Sequence, residues 1–144
     1  MTVHLQDRNN IPELMRTLRR MKGKDIQVGV HEGDSEMSMI AAVHEYGEPK
    51  LNIPERSFIR SGFDEHVDKV QEKIVELMPA VIHNNVDPDV FLDAIGMEFA
   101  SLIKKKLIDL QDPPNSEKTI KIKGSSNPLI DTGRLRDSIV HKVK

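Results

Sequence analysis

The chain has 144 residues, the size of one domain and enough to bury roughly two-thirds of the surface its unfolded form exposes. It carries 21 Lys and Arg against 23 Asp and Glu, a formal charge of −2, and no cysteine. These figures exclude a disulfide framework, a thiolate zinc site and a cysteine nucleophile, and they argue against a dedicated nucleic-acid binder, which shows a clear basic excess.

One tyrosine and four phenylalanines are too few for a base-stacking platform as well as a core. No apolar run approaches the ~18 residues of a transmembrane helix, and residues 1–8 lack the basic-then-apolar layout of a signal peptide. The expectation is a soluble, intracellular, single-domain protein over residues 1–144. The first helix is expected over 10–22. Asn10 is placed to cap it, with Glu13 reaching back in a capping-box arrangement. Ile11, Leu14, Leu18 and Met21 form its apolar stripe. Arg16, Arg19, Arg20 and Lys22 read as a solvated face near the helix C-terminus, where the dipole favours cations, and Gly23 as the stop. Residues 1–24 stand as a candidate peripheral N-terminal helix.

Residues 25–31 alternate, with Ile26, Val28 and Val30 on one face, the clearest strand in the chain. Asp34 or Ser35 then caps a short helix to about Tyr46, ended by Gly47 with Pro49 beyond it. Residues 48–61, with Pro49 and Pro54, read as an extended arm or irregular loop. Ser61 is expected to cap a longer helix whose seam is Phe63, Val67, Val70, Ile74 and Leu77. Pro79 should end or kink it, with Asn84 and Asn85 as a final stop. Asp87 and Pro88 open the next helix in cap and first-turn positions, its apolar face being Phe91, Ile95, Phe99, Leu102 and Ile103, reaching Leu110. Carboxylates at its start and Lys104, Lys105 and Lys106 at its end follow helix electrostatics. Residues 111–132 lack sustained periodicity and read as a long flexible loop, with residues 119–123 as a possible short strand. Asp131 or Thr132 then caps a single turn, and residues 138–143 form a closing strand. The fold class expected is α+β: a small, mostly antiparallel sheet packed by two long helices, with a long loop before the C-terminal strand.

A search for chemistry finds no phosphate-binding loop, no dinucleotide fingerprint and no nucleophile elbow. His44 and Glu45 begin like a zinc-protease helix, but Glu48 stands where the second His belongs. The six histidines are dispersed and form no i, i+4 helical pair. The acids Asp64 and Asp68, and Asp87 and Asp89, lie at helix starts, where capping explains them; a carboxylate-based hydrolase built on them is the enzyme alternative. No catalytic residue, metal ligand or cofactor is expected.

Four stretches together resemble the neck, or tail-completion, proteins of tailed bacteriophages. They are residues 28–30 (VGV), 41–47 (AAVHEYG), 53–60 (IPERSFIR) and 128–139 (PLIDTGRLRDSI). Ser57 stands where such proteins often have proline before the Phe, and the first 25 residues carry no part of the resemblance. The resemblance implies a non-enzymatic virion-assembly protein of the head–tail junction or tail terminus, made in the host cytoplasm. It would act as a homo-oligomeric ring, commonly a hexamer, between tail-tube proteins and head-completion or connector proteins. Double-stranded DNA would pass through without being read, and no membrane would be involved.

The residues themselves fit such a role. Phe58 and Ile59 between Arg56 and Arg60 have the composition of an assembly interface, although Phe58 reads equally well as the start of a helix core. Lys118, Lys121 and Lys123 suit a segment that orders on a neighbour. Asp131, Thr132 and Gly133 read as a structural turn. The binding-class alternative is a DNA-contacting accessory protein using Lys104, Lys105, Lys106 and the basic C-terminal segment with Arg134, Arg136, Lys142 and Lys144.

Overall fold

Alternation over residues 26–30 does produce a strand, β1 (Ile26–Val30), and it pairs antiparallel with β2 (Ile139–Val143). The register sets Ile26 opposite Val143, Val28 opposite His141 and Val30 opposite Ile139, so these six side chains share one face of the sheet. Backbone bonds between Asp25 and Lys144, at 2.8 and 3.0 Å, extend the pairing by one residue. The computed structural model describes residues 10–30, 33–83 and 85–144. The sequence readings that fall on residues 1–9, His31, Glu32 and Asn84 lie outside these.

Six α-helices flank this two-stranded sheet among the described residues: α1 (Ile11–Met21), α2 (Ser35–Tyr46), α3 (Ile59–Ile82), α4 (Pro88–Asp109), α5 (Glu117–Lys123) and α6 (Arg134–Asp137). The architecture is α+β, a small antiparallel sheet packed by the two long helices α3 and α4. The centre is α4. Asp87 caps it by accepting from the Asp89 amide, with Pro88 at the first helical position. One side of α4 meets α3 and another meets the sheet. The sheet contact depends on Gly96: a Cβ there would stand 2.5 Å from Cδ2 of His141 and 3.1 Å from Cγ2 of Ile26. His141 therefore lies across α4, its Nε2 2.7 Å from Oδ1 of Asp93.

Two apolar clusters form along α4. One gathers Met37, Ala41, Phe58, Ile103, Leu107, Leu129, Leu135 and Ile139. The other gathers Val70, Val81, Phe91, Leu92, Ile95 and Leu102. Phe99 borders both and stacks on Phe63 with ring centroids 5.2 Å apart.

Several expectations change. Helix α3 begins at Ile59, two residues before Ser61, because its cap comes from elsewhere in the chain. It runs through Pro79 to Ile82 rather than ending there. The proline removes a donor from the carbonyl of Val75, but Val75 is 73% exposed, so water can serve instead, while Val81 beyond it is fully buried. Residues 119–123 lie in α5 rather than in a strand. Ser116 caps that helix by accepting from the Thr119 amide, and Gly124 closes it at φ 70°. Two isoleucines in five residues fit either period, and here the caps decide. Asn10 makes no side-chain cap bond, so the capping box with Glu13 does not form. The buried side of α1 is Thr17 flanked by the half-buried Leu14 and Met21, which leaves Ile11, Met15 and Leu18 exposed. Gly133 itself caps α6 in the left-handed conformation, with neither Asp131 nor Thr132 supplying a cap bond.

Candidate functional site around Glu45 and Arg56

Between α2 and α3 the chain turns sharply. Gly47 sits at φ 74°, and a Cβ there would lie 2.8 Å from the Glu55 amide nitrogen, so both conformation and crowding require glycine. Glu48 and Ile53 then exchange backbone bonds of 2.8 and 3.1 Å around a 3₁₀ turn at Pro49–Leu51. The Arg56 amide returns to the His44 carbonyl at 2.7 Å. The arm expected over residues 48–61 is thus a closed loop folded onto α2.

This closure carries the start of α3 to Glu45, which is 3% exposed. The Glu45 carboxylate accepts from the amides of Phe58, Ile59 and Arg60, each at 2.9 Å. It also accepts from Oγ of Ser57 at 2.7 Å and Nε of Arg60 at 3.0 Å. The free amides at a helix N-terminus and its positive dipole end are met here by an acid from another helix. Burial pushes the Glu45 carboxyl up, but the amide, hydroxyl and guanidinium donors outweigh it and hold it below its ordinary value. Local cap rules, which look within about three residues, do not find this carboxylate. A signal was nonetheless present: Met37, Ala41 and Glu45 recur every four residues on one face of α2, and all three are buried.

Arg56 is 5% exposed. Its Nε donates to the Pro113 carbonyl at 2.7 Å, and Nη2 reaches the Pro114 carbonyl at 3.2 Å and Oδ1 of Asn115 at 3.4 Å. Burial lowers the pKa of this guanidinium. Phe58 is fully buried in the cluster with Leu107 and Ile139, so it serves the core of its own chain. Ile59 is half-buried. Arg60 is the one of the four that keeps a broad exposed surface. Its Nη2 donates to the Glu45 carbonyl at 2.9 Å and to Oε1 of Glu55 at 2.8 Å, and its guanidinium lies 4.8 Å from the centre of the Tyr46 ring.

The 111–132 segment is pinned at both ends: by Arg56 at 113–115, and by Asn127, whose amide group donates to the Ile108 carbonyl at 2.8 Å while its Oδ1 accepts from Leu129 and Ile130 at 3.0 and 3.1 Å. Lys118 and Lys121 are exposed. Lys123 is half-buried, with Nζ on the carbonyls of Asn127 at 3.5 Å and Pro128 at 3.3 Å. Asp131 and Thr132 are exposed, while Gly133 is buried at φ 81°. The structure therefore brings Lys123 and the 131–133 turn to one cavity and leaves Lys118 and Lys121 outside its wall.

That cavity has a volume of about 400 Å³ and lies between α2, α5 and residues 128–135. His44 lines it, and the His44 Nδ1 is shielded from solvent without a hydrogen-bond partner. Burial, then the charges of Arg56 and Lys123, push the His44 imidazole down to about 4, so it is neutral at pH 7.

The remaining sequence candidates sit elsewhere. Asp87 takes both Arg20 nitrogens at 2.8 and 3.0 Å, and Asp89 takes Arg20 at 2.6 Å and Lys24 at 2.5 Å. These bonds tie α1 to the start of α4. They hold both carboxyls below the ordinary range, whereas an acid–base couple has its two members pushed apart. Asp64 and Asp68 are exposed on α3. Lys106 pairs with Glu65 at 2.5 Å, Lys105 with Asp109, Arg134 with Glu36 at 2.9 Å and Arg136 with Asp137 at 2.7 Å. Among the described residues no group of three or more His, Asp or Glu is placed to hold a metal ion, and no helix is long and apolar enough to cross a membrane. Comparison with protein-family models, curated proteins and solved structures returned no match to this chain.

Proposed function

We propose that this chain is a structural subunit of a tailed-phage neck, a tail-completion protein that joins tail to head by closing into a hexameric ring. The observation that carries the reading is a pair of helix faces with exposed apolar side chains on different elements. On α1, Ile11, Met15 and Leu18 are 66%, 43% and 45% exposed at i, i+4 and i+7. On α2, Met39 and Tyr46 are 65% and 66% exposed, also seven residues apart. A ring requires a heterologous contact, in which one patch meets a different patch on the next copy, and two separate apolar faces supply that asymmetry.

The charge pattern agrees with a channel that lets DNA slide. A basic lumen would hold phosphate with salt-dependent affinity. Of the seven cations of the DNA-contacting alternative, Lys105, Lys106, Arg134 and Arg136 are each paired with a carboxylate, which weakens that alternative without touching Lys104, Lys142 and Lys144. In this reading the neighbours in the virion are tail-tube protein on one side and head-completion or connector protein on the other. The Glu45 cap has a defined part: it fixes the turn between α2 and α3, so that the α2 face is presented rigidly. Native mass measurement and electron imaging of the purified protein with its tail tube test the proposal. Closed rings seated on the tube end, with no retention of duplex DNA at low salt, are expected. A protein that stays monomeric beside the tube, or forms only a two-fold dimer, overturns it.

A further inference from the structure

Resting on the assembly reading, we infer that the free edge of β1 is a docking site for an extended segment of the neighbouring copy, its residues 2–6. Hydrogen-bond accounting defines the edge. Asp25 and Lys144 exchange both backbone bonds, so alternation makes Gln27 with Lys142 and Gly29 with Val140 the bonded pairs of the ladder. Ile26, Val28 and Val30 therefore turn their N–H and C=O groups away from β2. Among the described residues none of these groups has a partner. An open edge of this kind is a template for another strand.

The surface beside the edge calls for a single extended chain. Both strands pack on α4, and two strands about 4.8 Å apart cover only about half of a layer two helices wide. The N-terminal half of α3 is left short of cover, with Phe63 47% exposed. Two adjoining hollows of about 220 Å³ each run along the edge. Ile26, Val28, Phe63 and Phe99 line one, Val30, Ala42 and Tyr46 line the other, and Ile59 borders both. A strand laid on β1 bonds its backbone to the edge and sinks alternate apolar side chains into these hollows. The β2 edge of an intact second copy would bring its own α4 against α3, so the occupant is a segment with no helix beneath it.

Residues 2–6 carry the matching pattern, with Val3 and Leu5 alternating with Thr2, His4 and Gln6. Residues 1–9 lie outside the described residues and lead into α1, and that length of chain reaches at most about 30 Å. The assembly account sets the exposed face of α1 against the α2 face of the next copy. That face includes Tyr46, which also lines the groove. The segment of one copy thus enters beside the open edge of the next.

Backbone hydrogen exchange, read residue by residue by NMR on the full chain, is the test. In dilute protein the Ile26, Val28 and Val30 amides should exchange freely, while those of Gln27 and Gly29, held by β2, are protected. A synthetic peptide of residues 1–9 should protect the three open amides saturably. The same peptide with Val3→Asp and Leu5→Asp should bind at least about tenfold more weakly, having lost its buried aliphatic contacts. In assembled protein the three amides should be protected without added peptide. No saturable protection, or equal protection by the substituted peptide, would overturn the docking site. Amides that stay open in a closed ring would overturn it too, and the ring itself would stand. Slow exchange at the three positions in dilute wild-type protein, lost in the chain with Val3→Asp and Leu5→Asp, would overturn the second copy as the source. Peptide protection in a chain that never forms rings would support the strand site while overturning the assembly reading.

Discussion

At the N-terminal end of α4, Asp87 and Asp89 hold α1 through Arg20 and Lys24, and the carboxylates and Arg20 remain over 40% exposed. On the opposite side of the fold, where Phe58 packs with Leu107, Glu45 holds the start of α3 from a position 3% exposed. Both ties use carboxylates to join one helix to another, and both include a helix N-terminus. They differ in what replaces them when they are lost. Water can take over every bond of the exposed set, and such pairs contribute little. Glu45 is withdrawn from water, so deleting that acid leaves the buried Phe58 amide and its part-buried neighbours without their acceptor. Burial, rather than the number of ion pairs, decides which carboxylate the fold depends on.

The comparison breaks most visibly at Glu45. Glu45→Ala should destabilise the protein by about 3–5 kcal/mol in urea denaturation, the range for removing one member of a buried charged network. Glu45→Gln keeps one acceptor oxygen and should cost about 1–3 kcal/mol. A loss below about 1 kcal/mol for the alanine variant would place Glu45 with the exposed pairs. Phe58→Ala should cost a similar 3–5 kcal/mol, measured at protein concentrations low enough to keep the chain dispersed. A cost seen only in assembled protein would mean that Phe58 serves an interface instead of the core.

The contact between α4 and the sheet ranks next. Gly96→Ala forces a methyl against His141 and Ile26 and should lower stability by about 1–3 kcal/mol, the scale for overpacking. Acid should also weaken the buried tie at the end of α2. The Glu45 carboxyl is held below its ordinary value, so its contribution is present at neutral pH and is lost as pH falls through the carboxylate range. His44 titrates near 4 in the folded chain against 6.5 when unperturbed. The unfolded chain therefore binds that proton first, and stability declines as pH drops across that window. His44→Gln should flatten the upper part of this decline, and an unchanged slope would exclude His44 as its source. Smallest of all, Asp89→Asn should leave the denaturation midpoint unmoved at physiological ionic strength, with any effect confined to low salt.

The regular elements were legible because each carries its own local signal: alternation in β1, the proline-bearing cap of α4, the glycine stop of α2. What escaped depends on distance along the chain. The α3 cap lies thirteen residues upstream, so Ser61 seemed the natural start. Arg20 read as one solvated cation among four, since nothing at residue 20 points to Asp87. The short α5 was ambiguous because its two isoleucines satisfy both periods. On α1 the sequence stripe mixes residues from two sides, and only packing shows that Thr17 is inside while Met15 and Leu18 face out. The candidate interface residues divide for the same reason: Arg56 and Phe58 carry the right chemistry for a contact between proteins, and burial has turned them inward.

The outward face of α1 gives the most direct test of the assembly account. Met15→Glu with Leu18→Glu places two charges on that face without touching Leu14, Thr17 or Met21. Native mass measurement of the wild-type chain and this variant at equal concentration is decisive. The account predicts a hexamer for the wild type and a monomer for the variant, with matching circular dichroism and denaturation midpoints. A wild-type chain that remains monomeric at its highest soluble concentration, or a variant that assembles as readily as the wild type, would contradict it.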